Sequence, residues 1–261
     1  MSETPDSLAA RFRVDGRVAL VTGAGRGIGR SVAIALAQAG AEVWLVARTQ
    51  SEIEAAAGEI RAAGGSAHVA PCDVTDAAAV TRTFSTIPAL DILINNAGMN
   101  IPEPFVDVSE ERLDRVMNLN VKAAFVVAQA AAKKMLDAAD RKTRGGAIVN
   151  ITSQMGHVGA VNRSVYCMTK HAIEGLTKAV ALELASHNIR VNTVAATFVE
   201  TPLTAPMFAK PEFARWVHDR IPLGRLGRLD EIVSAVLFAV SPASSLMTGT
   251  SLVIDGGWTA Q

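Results

Sequence analysis

Residues 17–29 read Arg17-Val-Ala-Leu-Val-Thr-Gly-Ala-Gly-Arg-Gly-Ile-Gly29, an apolar run that passes directly into a glycine-rich turn. Residues 30–39 follow with helical periodicity, and 41–47 form a second apolar run. This order predicts a β-α-β unit. Glycines between its strand and helix permit a tight turn and let backbone N–H groups approach a pyrophosphate at the helix N-terminus.

The spacing of these glycines is Gly23-x-x-x-Gly27-x-Gly29, which differs from the G-x-G-x-x-G pattern of the standard dinucleotide fingerprint. A glycine cluster by itself is weak support for a phosphate site. Its position between a strand and a helix, at the start of the domain, is what favours a dinucleotide-binding turn here.

Strands and helices continue to alternate along the whole chain. Apolar runs predict further strands at 67–71, 91–95, 147–152, 189–194 and 251–255, and helical periodicity predicts helices at 51–63, 77–84, 110–136, 165–185 and 230–240. Seven strands in this order predict a three-layer α/β Rossmann fold with a doubly wound, seven-stranded parallel sheet.

The domain organisation predicted from this pattern is simple. The polar residues 1–14 are expected to form a flexible tail, and 15–258 a single domain. Residues 198–229 hold four prolines and several aromatics but no clear strand. Because this insertion follows the carboxyl end of a strand, we expect it to cover a ligand site.

The composition excludes several functional classes. With 25 basic and 25 acidic side chains, the chain has no electrostatic footprint for nucleic acid or an anionic membrane. The uncharged run 232–254 is broken by Pro242 and Gly249, so a soluble protein is expected. Cys72 and Cys167 make no disulfide framework, which predicts a reducing, cytoplasmic location. The histidines show no metal-ligand spacing.

A second stretch, from Ser153 to Lys170, predicts the chemistry. Tyr166 and Lys170 share one helix face, one turn apart, and a nearby positive charge lowers a tyrosine pKa from its ordinary value near ~10. Ser153 follows a buried strand and presents a hydroxyl where open α/β sheets bind ligands. A core tyrosine beside a solvated lysine is the alternative interpretation of the pair, so the rest of the chain decides between them.

Together these motifs resemble those of the short-chain dehydrogenase/reductase family over nearly the full length. The segment from Thr22 to Gly29 resembles the family's cofactor turn, and Asn95-Asn96-Ala97-Gly98 resembles its central strand motif. Tyr166-x-x-x-Lys170, with Ser153 at the family's spacing, resembles its catalytic set, and Asn120 resembles the family's catalytic helix asparagine. The combination of these motifs is specific to that family, although each motif alone is not.

The resemblance implies roles for these residues. Tyr166 would be the general acid or base, Ser153 would hydrogen-bond the substrate oxygen, and Lys170 would hold the nicotinamide ribose. Asn120 would support a water that relays protons, while Asn95 is expected to brace the central strand. The expected cofactor-binding residues are Gly23, Arg26, Gly27, Ile28, Gly29, Arg48, Asp73, Val74, Asn96, Ala97, Gly98, Tyr166, Lys170, Val199 and Thr201.

The second strand ends at Ala47 and is followed by Arg48, where an acid would bind the ribose 2′-hydroxyl of NAD. Arg26, inside the glycine turn, could reach the same position, and two guanidiniums favour a 2′-phosphate. We therefore predict a preference for NADP(H). NAD(H) stays possible, because Arg48 could instead stack on adenine while Arg26 points to solvent.

The predicted activity is hydride transfer between a secondary alcohol and a ketone on a sugar, polyol or other small polar hydroxy compound. Polar residues near the expected pocket favour such a substrate, namely Asn100, Gln154, His157 and Asn162. A 3-oxoacyl thioester on an acyl carrier protein is the alternative, with a basic mouth formed by Arg163, Lys210 and Arg215. A non-catalytic dinucleotide sensor is the alternative from a different class.

Two further features bear on assembly and on the substrate loop. The helix predicted at 110–136 is apolar almost all round, which predicts a second buried face and a homotetramer.

Ala196-Thr197 stands where the resembled family usually has Pro-Gly. Threonine resists backbone conformations that glycine permits, so the loop beside the nicotinamide is expected to differ in path.

Overall fold

The structure is a computed structural model that describes residues 7–201, 204 and 208–261. Residues 1–6 of the predicted tail, and Pro202 and Pro206 of the predicted insertion, lie outside the described residues. Within the tail, Ala10–Phe12 form a 3₁₀ turn, and the ring of Phe12 lies 6.2 Å from that of Phe238. Val14 is buried.

Seven strands follow one another along the chain: β1 (Val18–Thr22), β2 (Glu42–Ala47), β3 (Ser66–Pro71), β4 (Ile92–Asn95), β5 (Gly146–Ser153), β6 (Ile189–Ala196) and β7 (Ser251–Ile254). The helices between them are α1 (Gly27–Gln38), α2 (Gln50–Ala62), α3 (Ala77–Thr86), α4 (Glu110–Met117), α5 (Ala124–Leu136), α6 (Arg141–Arg144), α7 (Ser164–Leu184), α8 (Pro211–His218) and α9 (Leu229–Val240).

The strands form one seven-stranded sheet in the order β3-β2-β1-β4-β5-β6-β7, and all neighbouring pairs are parallel. This confirms the predicted doubly wound fold. The strand order reverses between β1 and β4, and open α/β sheets bind ligands at such a point, outside the carboxyl ends of the strands. The glycine turn follows β1, and the Asn-Asn-Ala-Gly segment follows β4.

Two apolar layers cover the faces of the sheet. One joins the strands to α1, α2 and α9, with Leu36, Ile53 and Val236 fully buried. The other joins them to α3, α5 and α7, and includes Phe84 and Val127. Buried strands with apolar residues on both faces are typical of parallel sheets that helices cover on both sides.

The helix predicted at 110–136 has the predicted extent but contains an irregular turn. Asn118–Ala123 is a π-helical segment between α4 and α5. Single π turns within α-helices occur often at functional sites. The predicted insertion also contains a helix, α8, which begins at Pro211 with proline in the first turn, a position that tolerates its missing N–H.

Candidate active site

The turns that follow β1 and β4 are tied together by one threonine. The hydroxyl of Thr22 accepts hydrogen bonds from the backbone N–H groups of Asn96 at 2.9 Å and of Ala97 at 3.0 Å. The Asn96 amide in turn donates to the Thr22 carbonyl at 2.9 Å. These bonds fix the distance between the glycine turn and the Asn-Asn-Ala-Gly segment at the strand crossover. Asn95 braces the sheet by donating to the Ala124 carbonyl at 2.8 Å.

The glycine turn has the properties of a phosphate cradle. Gly27 has a φ of +56° with nothing within 4 Å of its absent Cβ, whereas a Cβ on Gly29 would overlap the carbonyl oxygen of Gly23. Helix α1 begins here without a side-chain cap and without an acid in its first turn. Its first N–H groups are therefore free to bind an anion, which fits the pyrophosphate of a dinucleotide.

Two arginines and one acid surround the end of β2. Arg26 and Arg48 are exposed, and neither forms an ion pair within the part of the chain that the structure describes. Hydrogen bonds from Thr75 and, more weakly, the charge of Arg48 hold the pKa of Asp73 below its usual range. The remaining predicted contact in this region, Val74, is buried.

The sequence reasoning missed Glu52, an acid in the first turn of α2. A Cβ on Gly25 would lie 2.6 Å from a carboxylate oxygen of Glu52, so this side chain covers the glycine turn. A carboxylate at this place repels a phosphate and accepts a hydrogen bond from a hydroxyl. It therefore opposes the effect of Arg26 and Arg48 on cofactor choice.

Ser153 is the last residue of β5 and is buried. Its hydroxyl donates to the side-chain oxygen of Gln154 at 2.7 Å and accepts from the backbone N–H of Met155 at 3.2 Å. Parallel pairing places Ser153 opposite Ala196, the last residue of β6. The hydroxyl therefore lies at the carboxyl edge of the sheet, as predicted, and Gln154 extends this polar edge.

Tyr166 and Lys170 lie one turn apart in α7, with the Lys170 ammonium 5.5 Å from the centre of the Tyr166 ring. The ammonium donates to the carbonyl of Ile151 at 2.9 Å. Burial lowers the pKa of Lys170 to about 8, opposed by the charge of Glu174. Lys170 is therefore protonated near neutral pH.

The predicted lowering of the Tyr166 pKa by Lys170 is not found. Burial raises the pKa of Tyr166 to about 12 and outweighs the hydrogen bond to Ser153, which lowers it. The cation that acts on Tyr166 is Arg163, whose charge lowers the pKa but less than that hydrogen bond does. The expectation was wrong because helical spacing gives no measure of desolvation, which disfavours a charged phenolate.

Asn120 lies in the π-helical segment and is buried. Its side-chain oxygen accepts from the backbone N–H of Met99 at 2.8 Å, and its amide donates to the Met99 carbonyl at 2.8 Å. The amide also donates to the Thr169 hydroxyl at 3.2 Å, and that hydroxyl donates to the Tyr166 carbonyl at 2.8 Å. Asn120 thus links the loop after β4 to the helix that carries Tyr166.

The sequence reasoning also missed Glu174, a buried carboxylate one turn beyond Lys170. It accepts hydrogen bonds from the hydroxyls of Thr152 at 2.6 Å, Thr193 at 2.9 Å and Ser251 at 3.3 Å. The imidazole of His157 lies 3.4 Å from it. The helical spacing of Glu174 from Lys170 could have identified it in the sequence. The three hydroxyls that bind it come from strands distant in the chain, which spacing does not reveal.

Arg163 occupies the N-cap position of α7, three residues before Tyr166, without a side-chain capping bond, and is buried, with 8% of its surface exposed. Its guanidinium donates to the carbonyl of the preceding residue, Asn162, at 3.1 Å. Asn162 has a left-handed backbone with a φ of +59° and is exposed, as is Asn100. Arg163 was predicted only as part of a basic mouth for a carrier protein.

An aromatic cluster covers the carboxyl edge beside β6. Four rings lie with their centres within 6.4 Å of the Phe198 ring. They belong to Phe208, Phe213, Trp216 and Trp258. The hydroxyls of Thr201 and Thr204 lie 3.1 Å apart, and Thr204 donates to the carbonyl of Val199 at 2.6 Å. The described aromatic residues of the insertion therefore pack together with Trp258.

The backbone stays in the sheet at Ala196-Thr197, where the resembled family usually has Pro-Gly. Strand β6 continues through Ala196, and the backbone N–H of Thr197 donates to the carbonyl of Ile254 at 3.2 Å. The Thr197 hydroxyl is buried and finds no hydrogen-bond partner among the described residues. An unpaired hydroxyl therefore follows Ala196, which pairs with Ser153.

Two features are absent from the described residues. None of the helices described combines the length and apolar character needed to cross a membrane. Within the same residues, no three histidine, cysteine or acidic side chains are grouped as metal ligands.

Comparison with known proteins gave consistent matches. Residues 23–259 match the protein family described as enoyl-(acyl carrier protein) reductase. An L-xylulose reductase from Bos taurus is 40% identical over 251 residues, which are 95% of this chain and 99% of that protein. A short-chain type dehydrogenase/reductase from Mycobacterium marinum is 38% identical with a TM-score of 0.91, covering 98% of this chain and 100% of the other.

A further solved structure is also similar to the chain. It is a gluconate 5-dehydrogenase from Burkholderia cenocepacia in complex with NADP and tartrate. It is 34% identical with a TM-score of 0.92, and the match covers 98% of this chain and 100% of the other.

Proposed function

Because the chain belongs to the short-chain dehydrogenase/reductase family, and is an NAD(P)-dependent oxidoreductase acting on CH–OH groups, we propose that it interconverts a secondary alcohol and a ketone on a sugar, polyol or other small polar hydroxy compound. The observation that carries this proposal is the polar edge formed by Ser153, Gln154 and Tyr166 at the carboxyl end of β5. The similar L-xylulose reductase and gluconate 5-dehydrogenase are named for such substrates.

We propose the following roles for the site residues. The nicotinamide, when bound, supplies or accepts the hydride. Tyr166 donates the proton to the carbonyl oxygen during reduction and takes it back during oxidation, and Ser153 hydrogen-bonds the same oxygen. A neutral phenol with a raised pKa is in the correct state to act as the acid.

Lys170 and Asn120 would act around that proton transfer. The ammonium of Lys170 is charged near neutral pH and can bind the hydroxyls of a ribose. Asn120 holds the loop after β4 and the Thr169 hydroxyl in register with Tyr166, at a place where a water could pass protons toward solvent. Each of these roles predicts a loss of kcat on substitution.

We propose a preference for NADP(H) over NAD(H). Arg26 and Arg48 are both exposed beside the glycine turn, and two guanidiniums can bind a 2′-phosphate by charge-assisted hydrogen bonds. Glu52 opposes them. The test is the ratio of kcat/KM for the two cofactors in the parent and in Arg48→Asp, which should move the ratio toward NAD. Glu52→Gln is the matched variant and should move it toward NADP.

The substrate proposal is tested with a panel of secondary alcohols and ketones, followed through the absorbance of the reduced nicotinamide. The panel contains ketoses, polyols, keto-acids of sugar length and an acyl thioester, each with both cofactors. We expect turnover to be greatest with a polyhydroxylated compound. Turnover confined to apolar ketones would contradict the proposal.

The acyl thioester arm tests a second candidate, reduction of a 3-oxoacyl group on a carrier protein. Lys210 and Arg215 are exposed around α8, where an acidic carrier protein could bind. If this candidate holds, removal of either charge should raise KM for the carrier-bound substrate, and added salt should do the same.

We also propose that residues 198–229 close over the substrate within the single domain 15–258. The aromatic cluster around Phe198 joins this insertion to Trp258 beside β7. Tryptophan fluorescence of Trp216 and Trp258 should therefore change when cofactor and substrate bind. A Phe198→Leu variant should raise KM, while its free energy of unfolding should stay close to that of the parent.

We propose that the enzyme is a homotetramer in the cytoplasm, where its free thiols, Cys72 and Cys167, stay reduced. Phe125 on α5 and Met168 on α7 are each 46% exposed, and Leu246, before the edge strand β7, is 99% exposed. Exposed apolar side chains on two separate faces fit two different dyad contacts. Phe125→Lys should reduce the mass in light scattering by half, whereas a monomeric parent would contradict the proposal.

A further inference from the structure

We propose that Arg163 binds a carboxylate of the substrate, so that the preferred substrate is an anionic polyhydroxy acid rather than a neutral sugar. This inference rests on the proposed function, since it specifies the substrate of the same site. It comes from a buried cation that has no acidic partner among the residues that the structure describes.

Arg163 lies immediately before α7, the helix that carries the reacting groups. It is the N-cap residue of that helix, and Tyr166 lies in the first turn that follows. The charge of Arg163 lowers the pKa of Tyr166, so the guanidinium is electrostatically close to the phenol. A carboxylate bound by Arg163 would therefore lie a few bonds from the carbon that reacts beside Tyr166.

The guanidinium is buried without a counter-ion. No salt bridge joins Arg163 to an acid among the described residues. Glu103 approaches through its backbone N–H, which donates to the Asn162 carbonyl at 3.1 Å, but its carboxylate pairs with Arg112. The undescribed part of the insertion, Pro202, Leu203, Ala205, Pro206 and Met207, carries no acid. Burial lowers the pKa of Arg163, which is the sign of a desolvated cation.

Arg190 shows how this fold treats a buried arginine that serves structure alone. It also lacks an acidic partner, yet its guanidinium donates to the carbonyl of Ala239 at 2.7 Å, the hydroxyl of Ser244 at 2.9 Å and the carbonyl of Ser241 at 3.2 Å. Arg163 has one such bond, to Asn162. A guanidinium carries five N–H donors, and most of those on Arg163 have no partner in the described part of the chain, which leaves them for a ligand.

A carboxylate is the ligand that fits these donors. Arginine binds carboxylates through two parallel N–H···O bonds, and a buried, uncompensated cation gains most from a paired anion. A neutral sugar would offer only hydroxyls at this place. An anion here would also offset the effect of Arg163 on Tyr166 and keep the phenol protonated, as an acid catalyst must be.

The experiment compares two substrates that differ in charge: a neutral ketose and a keto-acid of the same chain length. It uses the full-length parent, Arg163→Met and Arg163→Lys, with Arg82→Met as a control that removes an exposed arginine from α3. In Arg163→Met we expect kcat/KM for the keto-acid to fall about 10- to 150-fold, mainly through KM, while the ketose changes by less than about threefold. Arg163→Lys should retain part of the preference, and Arg82→Met should retain all of it.

Two outcomes overturn the proposal. One is a parent enzyme that turns over the ketose as well as the keto-acid. The other is an Arg163→Met variant that loses turnover of both substrates equally, since Arg163 would then act through the fold and not through the carboxylate.

A binding measurement separates this proposal from the proposed function. Calorimetric titration of tartrate into the NADP-loaded protein needs no turnover. We expect binding to the parent, weaker binding to Arg163→Met, and unchanged binding to Arg82→Met. If the substrate panel gave no sugar or polyol turnover but this pattern appeared, the anion site would stand while the activity failed. Equal tartrate binding by the parent and Arg163→Met would refute the anion site.

Discussion

Two buried charges flank Tyr166 and Lys170, Arg163 at the N-cap of α7 and Glu174 within it, and the fold treats them differently. Glu174, 7% exposed, accepts hydrogen bonds from hydroxyls on β5, β6 and β7 and has His157 beside it. Arg163, 8% exposed, has one bond, to the carbonyl of its neighbour Asn162. Glu174 lies at the carboxyl edge of the sheet, whereas Arg163 lies at the start of α7, before Tyr166.

This difference separates a charge that belongs to the fold from one that is available to a ligand. A buried charge is costly unless hydrogen bonds or an opposite charge compensate it. The sheet compensates Glu174 fully, so its removal should damage the protein itself. Arg163 is not compensated, so its removal should spare stability and change only what the enzyme binds.

The largest effect should come from the residue between the two charges. Tyr166→Phe keeps the ring and removes the only proposed acid, so we expect kcat to fall by about 10²–10⁴-fold. Cofactor affinity, measured by fluorescence titration, should stay within a few-fold of the parent. Turnover close to that of the parent would show that neither charge acts through this phenol.

The next effect tests the comparison directly. Glu174→Ala leaves the hydroxyls of Thr152 and Thr193 without their acceptor, and we expect the free energy of unfolding to fall by about 2–4 kcal/mol. Glu174→Gln keeps the volume and one acceptor oxygen, so its loss should be smaller. Both are measured by urea unfolding of the cofactor-free protein.

Arg163→Met is the matched substitution at the other end of the helix. Replacing an uncompensated buried charge with an apolar side chain of similar length is often neutral or stabilising. We therefore expect its unfolding free energy to lie within about 1 kcal/mol of the parent. A loss as large as that of Glu174→Ala would make both charges structural and remove the distinction between them.

A pH series should reveal the cost of burying Lys170. Its pKa is lowered from 10.5 to about 8, so the folded protein binds the lysine proton less tightly than the unfolded chain. The contribution of Lys170 to stability is thus fully present above pH 10.5 and is lost as pH falls through 8. The difference in unfolding free energy between the parent and Lys170→Met should shift by about 3 kcal/mol across that range. A difference that does not change with pH would mean that Lys170 is solvated.

The smallest effect concerns the unpaired hydroxyl of Thr197. Thr197→Val has nearly the same shape and removes a buried polar atom without a described partner, so stability should rise by about 1 kcal/mol. If the hydroxyl binds substrate or nicotinamide, KM should rise in the same variant. A loss of stability would show that Thr197 has a partner in the fold.

Much of this arrangement could be predicted from the pattern of residues. The seven apolar runs and the helices between them define the parallel sheet, because periodicity and strand length are local properties. The glycine turn, Ser153 and the Tyr166–Lys170 pair are also local, since their spacing fixes which edge or face they occupy. The roles of these residues stay predictions until activity is measured.

What the amino-acid sequence alone determined was the order of elements, the family resemblance and the positions of the reacting groups. The tertiary structure decided the surroundings of those groups. It made desolvation the dominant effect on Tyr166 and brought hydroxyls from three strands to Glu174. It also left Arg163 buried with a single bond. The physical reason is that burial and compensation of charge depend on residues distant in the chain, which no local spacing encodes.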